Sequence, residues 1–146
     1  MNYYIEVIIP LSLPKTFTYR VSEAEFQYIQ KGMRIAVPFG KNKIYTALAI
    51  DLHQNAPTLY EAKEIHQILD EQPIVNEFQI NHWFWIASYY MCNIGDVYRG
   101  AMPSALLLES ETIVSQKQSV IIEENILSDE EYLVYQALQQ QSSLRI

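Results

Sequence analysis

The feature that most constrains this fold is a two-residue period of apolar side chains in the first 70 residues. It is clear in 3–9 and again in 17–21, and side chains two apart lie on the same face of a β-strand. Two further apolar segments, 33–39 and 44–52, flank Gly40-Lys41-Asn42-Lys43, which is typical of a hairpin turn. With one more strand expected at 64–69, the pattern predicts a small β-barrel-like antiparallel sheet.

The sequence also predicts one helix between the strands and a longer helix after them. Ser22 and Glu25 fit a capping box, which predicts a short helix through Ile29. A longer helix is predicted from an Asn76 cap to about Cys92, because apolar residues recur there at helical spacing. The predicted class is therefore α+β, with one long aromatic helix beside the sheet.

The long helix is unusual because aromatic side chains surround it. Trp85 and Tyr89 lie off its main apolar stripe, so we expect the helix to be covered on more than one side. Gly95 and Gly100 follow and predict a loop.

The composition changes again at about residue 110. Short β-like runs occur at 112–114 and 120–122, and Ser128 with Glu131 fits a second capping box. The helix that it opens has an apolar face with no companion in the chain. We therefore predict two domains, 1–109 and the truncated start of another at 110–146.

Charge and composition exclude several classes of protein. The chain has 146 residues, 49% of them hydrophobic, and a single cysteine, which permits a packed core but no intrachain disulfide. No apolar run approaches the roughly 20 residues of a membrane helix, so we expect a cytoplasmic protein without a membrane partner. The net charge of −7 argues against a broad nucleic-acid-binding surface.

The charge is unevenly distributed, however. Residues 1–50 hold six basic and three acidic side chains, a balance of +3, whereas 51–146 hold four basic and fourteen acidic ones, a balance of −10. Such asymmetry suggests a nucleic-acid face on the first part. From charge alone, an acidic protein with a few surface lysines is the simpler explanation, because a balance of +3 is small for a domain-wide basic surface.

The chain lacks the residue patterns of a catalytic site. Gly40-Lys41 is not preceded by a glycine at the spacing of a phosphate-binding loop. The three histidines have no metal-ligand spacing with one another or with Cys92. We therefore expect a binding role without a catalytic residue or a metal.

The candidate binding residues lie on two neighbouring segments. Phe17 and Tyr19 share one face of a strand with Thr18 on the other, and Gly40 lets a ligand approach the backbone. Lys41 and Lys63 supply positive charge. Aromatic rings beside a basic group suit a nucleotide, although rings on a small sheet are also common core residues.

Four short motifs occur in a fixed order. They are Ile9-Pro10-Leu11-Ser12-Leu13-Pro14-Lys15-Thr16-Phe17-Thr18-Tyr19, Gly32 to Lys41, Ala62 to Pro73, and Trp85 to Pro103. Together they resemble the N-terminal domain of the PriA family of replication-restart helicases (primosomal protein N′), over about residues 3–108.

The resemblance implies a function. Domains of this family bind the 3′ end of the nascent leading strand at stalled or abandoned forks, without base specificity. The motif matches give the 3′-end pocket as Phe17, Thr18, Tyr19, Gly40 and Lys63. Family members carry Asp where this chain has Thr18, whose hydroxyl offers one uncharged oxygen. Three further basic residues are expected to guide the DNA backbone: Arg34, Lys41 and Lys43.

The resemblance also implies what lies around this domain. Residues from about 110 would begin a winged helix, and the ATP-binding motor and the zinc-binding cysteines would lie outside the chain. These residues alone should then have no helicase activity and need no cofactor. Expected partners are forked or 3′-ended DNA, other primosome proteins and single-strand-binding protein. The alternative is a protein–protein adaptor within the primosome.

Overall fold

The structure of the chain, a computed structural model, describes residues 2–111, 113–115, 127–141 and 143–145. These form two compact units, Met1–Ser110 and Glu111–Ile146. Both α-helices and antiparallel strands are present, which confirms the mixed α+β class.

The first unit is built on a five-stranded antiparallel sheet in the order β2-β1-β4-β3-β5. Its strands are β1 (Tyr3–Ile8), β2 (Phe17–Val21), β3 (Arg34–Phe39), β4 (Lys43–His53) and β5 (Gln67–Ile68). The first four agree with the two-residue period, and β3 and β4 form the predicted hairpin. The strand predicted at 64–69 is shorter than expected, since only two residues of it pair with β3.

The alternation along β1 explains why the sheet is buried on both faces. Ile5 and Val7 enter one apolar cluster, which also contains Tyr19 and Val37. Ile8 enters a second cluster with Leu48 and the helices described next.

The helices of the first unit are α1 (Glu23–Tyr28), α2 (Glu77–Tyr89) and α3 (Ile94–Ala101). Ser22 and Asn76 cap the first two through capping boxes, which confirms both predicted starts. On α2, Ile80 and Trp83 are buried in the second cluster.

Two predictions about this helical region were wrong. Trp85 and Tyr89 are 55% and 64% exposed, so α2 is not covered on several sides. The residues expected to form a loop around Gly95 form α3 instead. Gly95 lies at a close contact, because a Cβ there would be 1.8 Å from the Leu11 carbonyl oxygen. The glycine permits tight packing and does not end a helix.

Residues 60–68, here called the closing segment, contain β5 and contact both β2 and β3. On the β2 side, the Arg20 N–H donates to the Lys63 carbonyl at 2.8 Å. On the β3 side, the His66 N–H donates to the Ala36 carbonyl at 2.8 Å. The closing segment therefore forms one edge of the sheet through β5 and also contacts β2, the strand at the opposite edge.

Residues 106–110, here called the strap, run along the start of β4. The Thr46 N–H donates to the Leu108 carbonyl at 3.1 Å, and the Ile44 N–H donates to Ser110 Oγ at 2.8 Å. The strap thus satisfies backbone groups of β4 that the sheet leaves unpaired.

The second unit contains β6 (Ile113–Ser115), β7 (Ser143–Arg145) and α4 (Asp129–Gln140). The two strands pair antiparallel, and Ser128 caps α4 through a capping box, as predicted. The β-like run predicted at 120–122 lies outside the described residues. Among the described helices, none has both the length and the apolar character needed to cross a membrane.

Candidate nucleic-acid interface

A cavity of about 230 Å³ opens where β2, the end of β3 and the closing segment meet. It is smaller than most ligand pockets, which measure about 300–1,000 Å³. Four of its nine lining residues are aromatic, and the full set comprises Phe17, Thr18, Tyr19, Pro38, Phe39, Gly40, Tyr60, Glu61 and Lys63.

Hydrogen bonds join the three segments around this cavity. The Thr18 N–H donates to the Tyr60 hydroxyl at 2.8 Å, which joins β2 to the closing segment. The Tyr19 hydroxyl donates to the Pro38 carbonyl at 2.9 Å, which joins β2 to β3. Lys63 Nζ donates to the Gly40 carbonyl at 3.1 Å, which completes the ring of contacts. These hydrogen bonds between protein groups hold the three walls of the cavity together.

Phe17 and Tyr19 serve as wall and as core at once. Tyr19 is only 4% exposed, and this burial raises the pKa of its phenol above the ordinary value. Phe17 is half-buried and packs edge-to-face on Phe39, with ring centroids 5.0 Å apart. Both side chains therefore pack in the core and line the cavity.

Thr18 lines the cavity, but its hydroxyl is engaged elsewhere. It donates to the Glu6 carboxylate at 2.8 Å, and the Thr16 hydroxyl donates to the other oxygen of that carboxylate. Glu6 stands directly opposite Thr18 on β1. The hydroxyl proton of Thr18 is therefore committed to a protein carboxylate.

Gly40 and Lys63 lie at the mouth of the cavity. Gly40 has φ of +74°, and no atom lies within 4 Å of the position that its Cβ would occupy. A glycine is favoured there by its backbone conformation, and the space beside it is free. Lys63 is exposed apart from its contact with Gly40.

The other three basic residues predicted to contact DNA do not line this cavity. Lys41 and Lys43 are exposed in and after the turn that follows Gly40. Arg34 is held in an ion pair with Asp70, Nη2 to Oδ1 being 2.6 Å, and its Nη1 donates to the Leu106 carbonyl at 2.9 Å. With its side chain only 14% exposed, Arg34 has protein partners where a phosphate was expected.

Sequence reasoning missed several residues at the cavity. Tyr60 and Glu61 line it from the closing segment. Lys15 places its Nζ 5.5 Å from the ring centroid of Phe17 and 5.7 Å from that of Tyr60, within cation–π range. An isolated tyrosine in a polar loop was a signal for Tyr60, but no local pattern indicated which loop would close the sheet.

The described residues around the cavity include no cluster of side chains suited to a metal ion. Over the described ranges, no three His, Cys, Asp or Glu side chains come together as metal ligands would. Aromatic walls, a lysine at the mouth and a fixed backbone suit a ligand in which a flat ring is joined to a negatively charged group.

These features define a small binding domain. The family model of the 3′ DNA-binding domain (3′BD) of PriA matches residues 6–103, and the chain belongs to this family. It is 31% identical over 102 residues to the replication restart protein PriA of Haemophilus influenzae, covering 70% of this chain and 14% of that protein. It is 25% identical over 105 residues to PriA of Treponema pallidum, covering 69% of this chain and 16% of that protein. The chain therefore spans about one-sixth or less of the length of these relatives.

Proposed function

We propose that the first unit binds the 3′-terminal nucleotide of a DNA strand in the cavity beside Phe17, as part of a protein that restarts replication at stalled or abandoned forks. The observation that supports this most strongly is the common lining of one cavity by the five residues that the motifs single out, Phe17, Thr18, Tyr19, Gly40 and Lys63. Membership of the 3′ DNA-binding family supports the ligand class.

The size and chemistry of the cavity favour one nucleotide of any base. A volume of about 230 Å³ suits a single base better than a longer segment. The rings of Phe17, Phe39 and Tyr60 offer stacking surfaces, which do not discriminate between bases. Lys63 and Lys15 are then the cations available to the phosphate on the 5′ side.

Selection of a free 3′-hydroxyl would depend on Glu61. Among the nine lining residues, Glu61 is the one carboxylic acid. A carboxylate accepts a hydrogen bond from a hydroxyl and repels a phosphate. Because the hydroxyl of Thr18 donates to Glu6, Glu61 is the better candidate to read the strand end.

The proposal also covers the domain organisation of the chain. The closing segment, which contacts both β2 and β3, supports a barrel-like domain over residues 1–109. The β6–β7 pair and the capped helix α4 support the beginning of a winged helix over 110–146. The ATP-dependent helicase, the zinc site and the contacts with primosome proteins or single-strand-binding protein would belong to the remainder of a longer protein.

The test is fluorescence anisotropy with short 5′-labelled oligonucleotides that end in a 3′-hydroxyl or a 3′-phosphate. We expect tighter binding of the hydroxyl end. Base stacking is worth about 1–3 kcal/mol, so Phe17→Ala should weaken binding by roughly ten-fold or more.

Tyr28→Ala is the matched control, since Tyr28 is an aromatic residue that is 48% exposed on α1 and does not line the cavity. It should leave the affinity unchanged. Equal affinity for the 3′-hydroxyl and the 3′-phosphate oligonucleotides would refute selective binding of a free 3′-hydroxyl. Unchanged binding by a folded Phe17→Ala variant would assign that ring to the core alone.

A further inference from the structure

One face of α2 presents a stack of exposed rings that the cavity does not use. His82 is stacked on Trp85 with centroids 5.7 Å apart and planes 8° from parallel. Trp85 is stacked in turn on Tyr89 at 5.0 Å and 20°. Trp85 and Tyr89 are 55% and 64% exposed, far more than is usual for large aromatic side chains.

This aromatic face is also free of negative charge along the chain. The protein has 17 acidic residues and a net charge of −7, yet residues 78–95 contain neither Asp nor Glu. Residues 7–22, which include Lys15 and Phe17, contain none either. These two stretches therefore offer a phosphate backbone little repulsion from their own side chains.

A groove of about 410 Å³ joins the two stretches. Lys15 and Thr16 line one side of it, and Phe84 and Ser88 of α2 line the other. Phe84 precedes Trp85 in the chain, and Ser88 is three residues after it, so the groove borders the exposed rings on the helix surface.

Neighbouring residues of the chain line the groove and the cavity. Thr16 lines the groove and the next residue, Phe17, lines the cavity. Lys15 also lines the groove, and its ammonium lies over the rings of Phe17 and Tyr60. A cation therefore lies between the two openings.

We propose that unpaired nucleotides immediately 5′ of the terminal one pass Lys15, enter this groove and stack their bases on Trp85 and Tyr89. This second site rests on the proposed binding of the 3′ end in the cavity, and it extends the ligand from one nucleotide to a short single-stranded tail. Stacked rings take any base, and Lys15 supplies the charge that a phosphate requires at the entrance.

Single-stranded DNA fits this surface better than a protein partner does. A protein surface would need no cation at the junction with the cavity, and it would not require the path from α2 to continue into a pocket for a terminal nucleotide. The two stretches contribute no carboxylate of their own in a chain that is otherwise acidic, and two carboxylates that contact them, Asp96 and Glu6, accept hydrogen bonds from Ser12 and Thr16. A polyanion therefore meets fewer acidic side chains here than over the rest of the sequence.

The experiment compares oligothymidylates of two to six nucleotides, each with a free 3′-hydroxyl, on the 146-residue chain. We expect affinity to rise at least ten-fold from the dinucleotide to the hexanucleotide, because each stacked base adds roughly five-fold or more. The double variant Trp85→Ala/Tyr89→Ala should lose this rise and keep the affinity for the dinucleotide.

A spectroscopic readout accompanies the affinities. Trp85 is exposed whereas Trp83 is 8% exposed, so the hexanucleotide should quench the emission of Trp85 and the dinucleotide should not. Trp85→Phe should abolish the quenching and retain most of the affinity, since a phenyl ring still stacks. Tyr28→Ala again serves as the control, with no effect on either oligonucleotide.

Two outcomes would overturn the second site alone: an affinity that does not rise with length, or a rise that survives in the Trp85→Ala/Tyr89→Ala variant. If only a partner protein, and no oligonucleotide, depended on these rings, the surface would be a protein interface. Failure of the dinucleotide to bind the wild-type chain would instead remove the proposed function itself, and this site with it.

Discussion

At the scale of single residues, the cavity depends on side chains that also hold the sheet together. Tyr19 is buried in the first apolar cluster, and its hydroxyl fixes the end of β3 through Pro38. Thr18 contributes to the lining while its hydroxyl donates to Glu6. Substitutions at such positions change stability and binding together, so binding data alone do not separate the two roles.

The Arg34–Asp70 pair allows a test of stability that leaves the cavity lining intact. Asp70 accepts from the backbone N–H and from the guanidinium of Arg34, and its side chain is 7% exposed. Removing one partner of a buried pair costs about 3–5 kcal/mol. We expect Asp70→Ala to lower the free energy of unfolding by about 3 kcal/mol, measured by urea denaturation.

A double variant separates the pair from the rest of its surroundings. Replacing both Arg34 and Asp70 by apolar residues should cost less than Asp70→Ala, because no charge is then left unpaired. A cost below about 0.5 kcal/mol for Asp70→Ala would show that Arg34 finds water or another partner, and it would restore Arg34 as a cation available to DNA.

At the scale of secondary structure, the sequence predicted elements whose signal is local. The β3–β4 hairpin and the caps at Ser22, Asn76 and Ser128 depend on residues within a few positions of each other. The helix α3 was missed because a local rule treats Gly95 as a helix breaker. The glycine is instead required by close contact with a loop more than 80 residues away in the sequence.

Prediction of the cavity residues was likewise restricted to those with a local sequence signal. Phe17, Tyr19, Gly40 and Lys63 were predicted from the residue pattern, and the resemblance to a family grouped them with Thr18 in one pocket. Tyr60 and Glu61 escaped prediction, because their position depends on hydrogen bonds that join the closing segment to two strands distant in sequence. Long-range pairing of a loop has no periodic signature in the chain.

The two glycines of α3 provide a matched pair of substitutions. A Cβ on Gly95 would lie 1.8 Å from the Leu11 carbonyl oxygen, whereas a Cβ on Gly100 would meet nothing within 4 Å. We expect Gly95→Ala to destabilise the protein by about 2 kcal/mol or more through overpacking. Gly100→Ala should be neutral or stabilising by up to about 1 kcal/mol.

Thermal denaturation followed by circular dichroism measures both variants. Equal effects of the two substitutions would mean that helix propensity alone decides, and that α3 moves away from the Leu11 loop at little cost. A selective loss in Gly95→Ala would identify that contact as a determinant of stability.

At the scale of the whole molecule, the acidic charge and a DNA-binding role are compatible if the contact is small. The net charge is −7, but a pocket for a strand end requires only one or two cations near the phosphates. Lys63 and Lys15 meet that requirement without a broad basic surface.

This view predicts a weak dependence of binding on salt. For single-stranded DNA the slope of log K against log salt is about −0.7 for each neutralised phosphate. Two contacts give a slope of roughly −1.4, or about a seven-fold loss of affinity between 50 and 200 mM salt. Anisotropy titrations over that range with a 3′-hydroxyl oligonucleotide measure the slope.

A slope steeper than about −4 would indicate many phosphate contacts and would contradict binding confined to the pocket and its groove. The adaptor alternative would be favoured if the chain bound a partner protein with an affinity that does not change with salt, and did not bind oligonucleotides. Lys63→Met should reduce the magnitude of the slope by about 0.7 if its ammonium neutralises one phosphate.

The strap has a practical consequence for anyone who dissects this protein into fragments. The family match ends at residue 103, and every residue of the cavity lies well before it. A fragment cut there would nevertheless strip Leu108 and Ser110 from β4 and leave the N–H groups of Thr46 and Ile44 without their partners. The first structural unit therefore extends to Ser110, seven residues beyond the end of the match, although all residues that line the cavity lie before that end.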